Sequence, residues 1–97
     1  MFSIRYVREA EWDLRAFRSF EQRILDEVDR HQAASPTRGN PRKKMLRGIE
    51  PPWHACQPVW QLRIGDFPVF YDVNEERREV TVRAVRRKGS QTTKEIL

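Results

Sequence analysis

The chain has 97 residues, 38% of them hydrophobic and 34% charged, which suffices for one small core and not for two independent ones. Lys and Arg number 19 against 14 Asp and Glu; the formal charge of +5 favours a polyanion or an acidic protein as partner. The single cysteine, Cys56, excludes an internal disulfide, and no apolar run approaches signal-peptide or membrane-spanning length, so a soluble, cytoplasmic protein without a membrane partner is expected.

Phe2, Ile4 and Tyr6 alternate with Ser3, Arg5 and Val7, the period-two pattern of a strand. From Arg8 to Arg18 the spacing becomes helical, with Trp12, Ala16, Leu14 and Phe17 as the expected inward residues. Ser19 followed by Gln22 has the form of a capping box, and Phe20, Ile24, Leu25 and Val28 carry a second helix to about Ala34. Between Ala34 and Pro58 lie five of the six prolines, so no regular element is expected there. This Pro-rich loop is also basic, because Arg38, Arg42, Lys43, Lys44 and Arg47 occur with no acidic residue among them.

Val59 to Lys88 reads as three antiparallel strands. Trp60, Leu62 and Ile64 alternate with Gln61 and Arg63, and Val80, Val82 and Ala84 with Thr81 and Arg83, which predicts a sheet with one apolar and one wet face. Gly65-Asp66 suits a two-residue hairpin whose first central residue has positive φ, and Asn74 to Arg78 gives a longer polar turn. The expected fold is a small two-layer α+β domain over residues 1–97: an N-terminal strand, a helical hairpin, then a three-stranded meander. Gln91 to Leu97 allows two helical turns at most and is expected to fray.

Zinc-site, phosphate-loop and nucleophile-elbow spacings are absent, and His31, His54 and Cys56 form no persuasive constellation, so neither metal nor cofactor is expected. The cations are the better candidates. Alternation places Arg63 and Arg83 on the wet face with Phe70, and Arg86, Arg87 and Lys88 run off the last strand, giving a cationic surface with an aromatic floor suited to single-stranded RNA. Ordinary solvated charge on a one-sided sheet explains the same pattern.

The run Trp60-Gln61-Leu62-Arg63-Ile64-Gly65-Asp66-Phe67, continuing to Val69-Phe70-Tyr71-Asp72-Val73, resembles the W-R-L-R-V-G-D-Y-R-V-x-Y-x-V signature of the RelE/ParE superfamily of bacterial toxins from toxin–antitoxin modules. Lys44-Met45-Leu46-Arg47-Gly48 resembles that family's K-x-L-x-G element, and Val82 to Gly89 its last strand and basic end. The resemblance implies either ribosome-dependent cleavage of messenger RNA, as in RelE-like members, or inhibition of DNA gyrase without nuclease chemistry, as in ParE-like members. An acidic, partly disordered antitoxin that folds on binding is the implied partner, with ribosome and mRNA added in the RelE-like case.

For the RelE-like case the resemblance assigns phosphate contact to Arg63 and charge stabilisation with leaving-group protonation to Arg87 or Lys88. Lys43, Lys44 and Arg47 then serve ribosomal docking, and Phe70, Arg83 and Arg86 belong to the RNA surface. Two positions depart from the pattern. Pro68 stands where the signature has an arginine that contacts the scissile phosphate, and Gln91-Thr92-Thr93-Lys94 lacks the tyrosine or histidine often found near the end. Proline offers neither charge nor backbone donor, so Pro68 also favours a non-nuclease alternative, a gyrase inhibitor or an inactive antitoxin-binding partner.

Overall fold

A computed structural model describes residues 2–32, 36–39, 42–46, 51–53 and 55–87. The elements follow in the order β1 (Ser3–Tyr6), α1 (Arg8–Ala16), a 3-10 turn (Arg18–Phe20), α2 (Glu21–Gln32), β2 (Lys43–Met45), β3 (Trp60–Ile64), β4 (Phe67–Asn74) and β5 (Glu79–Val85). The strands form one five-stranded sheet in the order β1-β5-β4-β3-β2. β1 runs parallel to β5, and the other neighbours are antiparallel.

The helices cover one face of this sheet. Ala10 and Leu14 of α1 and Ile24 and Val28 of α2 are buried against Leu62, Ile64, Val69, Tyr71, Val80, Val82 and Val85. Each large aliphatic side chain removed from water here contributes about 1.5–3 kcal/mol, so Ile24, with no exposed surface, is a site where truncation to alanine costs about 2–5 kcal/mol. The inward stripe of α1 is Ala10 and Leu14, continued by half-buried Val7 and Phe17. Trp12, expected inside, is 57% exposed, and Ala16 is exposed too, because a stripe through positions 10 and 14 turns 12 and 16 outward. Ser19 lies within the 3-10 turn rather than ahead of α2, and the Gln22 amide donates to Asp26 Oδ1 at 2.8 Å, so the predicted capping box is not formed.

Two expectations about the sheet need correction. Residues 43–45, placed in a structureless loop by their neighbouring prolines, form β2, with Lys43 opposite Leu62 and Met45 opposite Trp60. The face opposite the helices is not uniformly wet: Leu46, Val59, Phe70 and Ala84 form a second buried cluster under Trp53 and Ala55, and Gln61 is buried as well. The loop before β3 therefore works as a lid on the middle of the sheet. Ala84 reaches that cluster through a register shift in which Phe70 pairs with Ala84 and Tyr71 with Val82, leaving Arg83 as the extra residue of a bulge. The bulge returns Val85 to the helix-covered side, where strict alternation would have put Ala84.

The turns match their chemistry. Gly65 has φ +56°, between the paired residues Ile64 and Phe67. In the longer turn the Arg77 amide donates to Asn74 Oδ1 at 3.1 Å and Arg78 adopts φ +51°. Tyr71, fully buried, donates its hydroxyl to the Pro36 carbonyl at 2.6 Å and so fastens the segment after α2 to the central strand.

Candidate functional site

Sheet register gathers arginines at the hairpin end. The Arg63 amide donates to the Arg42 carbonyl at 2.7 Å, Arg63 pairs with Pro68, and the Pro68 carbonyl accepts the Arg86 amide at 3.0 Å. Arg42, Arg63, Pro68 and Arg86 therefore stand in one row across the sheet. Arg63 is exposed and forms no side-chain ion pair with a described residue. Beside it an open cavity of about 580 Å³ is lined by Arg23, Arg30, Arg42 and Arg63 together with Glu27 and Asp66. Arg30 Nη2 donates to both Glu27 carboxylate oxygens at 2.7 Å, and this bond, with the Arg30 and His31 charges, holds the carboxyl below its ordinary value against the opposing effect of burial.

Pro68 is buried in a central strand, a placement proline tolerates only where no ladder donor is needed. The Arg63 amide points away from β4 to Arg42, so the Arg63–Pro68 pair is a non-hydrogen-bonded one. The nitrogen of Pro68 therefore faces β5 where that strand stops, after Val85. The missing donor falls at the ladder's end.

The remaining cations are dispersed. Arg86 Nη1 donates to Asp13 Oδ2 at 2.6 Å, which neutralises it on the helix side. The guanidinium of Arg87 lies over Phe20 and Phe67, 5.9 and 5.7 Å from the ring centroids, next to exposed Arg15 and Arg18. Arg83, expected on the RNA surface, is 11% exposed at its side chain; its Nε donates to Asp72 Oδ2 at 2.7 Å, an oxygen that also accepts the Cys56 amide. That ion pair braces the lid loop and is withdrawn from solvent.

Phe70, expected as a stacking surface, has no exposed area and packs on the Trp53 ring at 5.7 Å. Lys43, expected to dock on RNA, is buried on the helix-covered side, and its ammonium donates to the His31 carbonyl in the last turn of α2 at 2.8 Å. A cation there complements the helix C-terminus, while desolvation lowers its pKa from the ordinary lysine value. Lys44 is exposed next to β3, opposite Gln61. Arg47 and Lys88 lie outside the described residues, as do His54 and the C-terminal segment from residue 88 onward.

Sequence patterning missed Asp13. It is a half-buried carboxylate on α1 that accepts both the Val85 amide at 2.9 Å and Arg86 Nη1. Its only sequence signal is an acidic residue at position 13 between inward positions 10 and 14.

Among the described residues no three His, Cys, Asp or Glu side chains converge as metal ligands, and no described helix is long and apolar enough to cross a membrane. The arrangement offers fixed positive charge. Arginine can hold phosphate oxygens through several donors and is a poor base, so guanidiniums such as those of Arg63 and Arg87 suit an anion better than proton abstraction.

Two helices packed on one face of a five-stranded mixed sheet are also the fold of solved RelE toxin structures. The archaeal RelE–RelB complex of Pyrococcus horikoshii superposes with a TM-score of 0.63 at 14% identity, over 93% of this chain and 98% of that one. The toxin–antitoxin complex RelBE2 of Mycobacterium tuberculosis gives 0.65 at 17% identity, over 90% and 98%. A metal-bound toxin from Helicobacter pylori gives 0.66 at 14%, over 88% and 92%. No protein-family model and no curated protein sequence matches the chain.

Proposed function

We propose that this protein is the toxin of a type II toxin–antitoxin module and cleaves messenger RNA on the ribosome, in the cytoplasm. The observation that carries this reading is exposed Arg63, without an ion pair among the described residues, in the row Arg42–Arg63–Pro68–Arg86, with Arg87 two residues beyond the end of β5. In the reaction the ribose 2′-hydroxyl loses its proton to solvent water as its oxygen attacks the adjacent phosphorus, the P–O5′ bond breaks to leave a 2′,3′-cyclic phosphate, and the departing 5′-oxygen takes a proton from a protonated lysine. The pentacoordinate transition state gains negative charge, which Arg63 and Arg87 stabilise. Lys88, next in sequence to Arg87, is the proton carrier of this scheme, and Lys44 with Arg47 supplies ribosomal contact. Two of the structurally similar proteins were solved as toxin–antitoxin complexes, which supports a cognate antitoxin as partner.

Primer extension on a defined message in a reconstituted translation system tests the proposal, with naked RNA as control. Ribosome-dependent cuts that disappear in Arg63→Ala and Arg87→Ala are expected. With no cation at Pro68, the rate should lie roughly two to three orders of magnitude below that of a site holding the extra donor.

Pro68 favours a second reading, a RelE-fold protein without nuclease chemistry. Intact message with normal translation supports it, and a DNA supercoiling assay then separates a gyrase inhibitor from an inactive antitoxin-binding partner.

A further inference from the structure

β1 covers the flank of β5 only from Glu79 to Val82, and the Val7 amide closes that ladder on the Val82 carbonyl at 3.1 Å. Beyond this point β5 has lost its neighbour on one side, and the bulge at Arg83 has just interrupted its pairing on the other. The end of the strand should fray, yet it carries Arg86 and Arg87. Because the Arg86 amide points toward β4 to reach Pro68, the Val85 amide one residue earlier points to the uncovered flank. Asp13 Oδ2 meets it there at 2.9 Å, and the same oxygen accepts Arg86 Nη1 at 2.6 Å. One carboxylate on α1 thus takes the place of the missing strand and ties down a backbone donor and a side chain on consecutive residues.

We propose that Asp13 is a positioning residue of the site: by holding the Val85 amide and the Arg86 guanidinium it fixes the strand end that aims Arg87 at the substrate phosphate. Arg86 is then a strut between α1 and β5 and not a phosphate ligand. Among the described residues Arg63 and Arg87 form no ion pair with a carboxylate, Arg87 resting instead on the Phe20 and Phe67 rings, so both guanidiniums are open to an anion. This assignment rests on the ribonuclease reading for its functional consequence, while the strand-end restraint can be measured without it.

The test uses the full chain and the variants Asp13→Asn, Asp13→Ala, Arg86→Ala and the double alanine variant. Amide hydrogen exchange at Val85 reads the restraint, and ribosome-dependent cleavage with separate kcat and KM reads the site. In Asp13→Ala the Val85 amide should exchange about tenfold faster relative to other core amides of the sheet. Its kcat should fall about 10- to 100-fold while KM for programmed ribosomes stays within about threefold. Asp13→Asn keeps an acceptor for the amide and should recover most of the Val85 protection and part of kcat. Asp13→Ala and Arg86→Ala should be non-additive, since each removes the same contact. Unchanged Val85 exchange, additive losses, or a kcat loss equal to that of a control variant with the same melting temperature would each overturn the proposal. If the parent protein leaves message uncut, the ribonuclease reading falls by itself, and Val85 exchange, with non-additive losses of thermal stability in Asp13→Ala and Arg86→Ala, decides whether Asp13 holds the strand end.

Discussion

Replacing Phe70 separates a packing role from a nucleic-acid role. The ring has no exposed surface and fills the space between Trp53, Leu46, Val59 and Ala84. Phe70→Leu keeps most of that volume and should cost about 1–1.5 kcal/mol, whereas Phe70→Ala should cost about 3–5 kcal/mol through lost burial and a residual cavity. A chain of this size has a total stability of roughly 5–15 kcal/mol, so the alanine variant loses a large share of it. At about 4–8 °C per kcal/mol for a small domain, Phe70→Leu should melt about 4–12 °C below the parent. Thermal melts by circular dichroism and urea titrations by Trp fluorescence measure this. Ribosome binding, assayed where both proteins are folded, should agree with the parent within about twofold. A Phe70→Leu protein that melts with the parent but loses binding would refute the buried-core assignment and restore the ring as a stacking surface.

Other outcomes follow from the same geometry. Asp72→Ala should destabilise by about 3–5 kcal/mol, because it strands the Arg83 guanidinium with little access to water; a denaturant titration with loss under 1 kcal/mol would refute that burial. Tyr71→Phe should cost about 1–3 kcal/mol, since the Pro36 carbonyl loses its donor, and faster proteolysis around residues 36–39 should accompany the loss. Lys43 has a folded pKa below 10.5, so the unfolded chain binds more protons between the two values. Stability should therefore rise with pH up to about 10.5 by an increment that Lys43→Met lacks; parallel pH profiles for the two proteins would refute the desolvation argument.

Sequence periodicity located most of the fold, because strands with one face against helices repeat every two residues and the hairpin glycine announces itself at Gly65. It failed where packing was two-sided. Phe67, Val69, Phe70 and Tyr71 make a nearly continuous apolar run, the mark of a strand covered on both faces, while Gln61 and Arg63 on the neighbouring strand suggested a wet one. The lid that covers Phe70 comes from Trp53 and Ala55, apolar residues in a Pro-rich stretch that has no period. β2 escaped notice because a three-residue edge strand is specified by its neighbour β3 rather than by its own Lys-Lys-Met sequence. Of the candidate site, Arg63 was legible as an outward residue of an alternating strand. Arg83 and Lys43 were not, since a cation's partner, Asp72 or the end of α2, is fixed by tertiary contact.

The parallel pairing of β1 with β5 joins residues 3–6 to residues 79–82. During synthesis the first strand leaves the ribosome long before its hydrogen-bonding partner exists. α1 faces the same delay, because Asp13 finds the Val85 amide only after 72 further residues have been added. Contacts of such sequence separation form late and slow the search for the native state. The step that completes the sheet also sets Arg86 and Arg87 in place, so the cationic strand end takes its native form only when nearly the whole of the described chain has been translated.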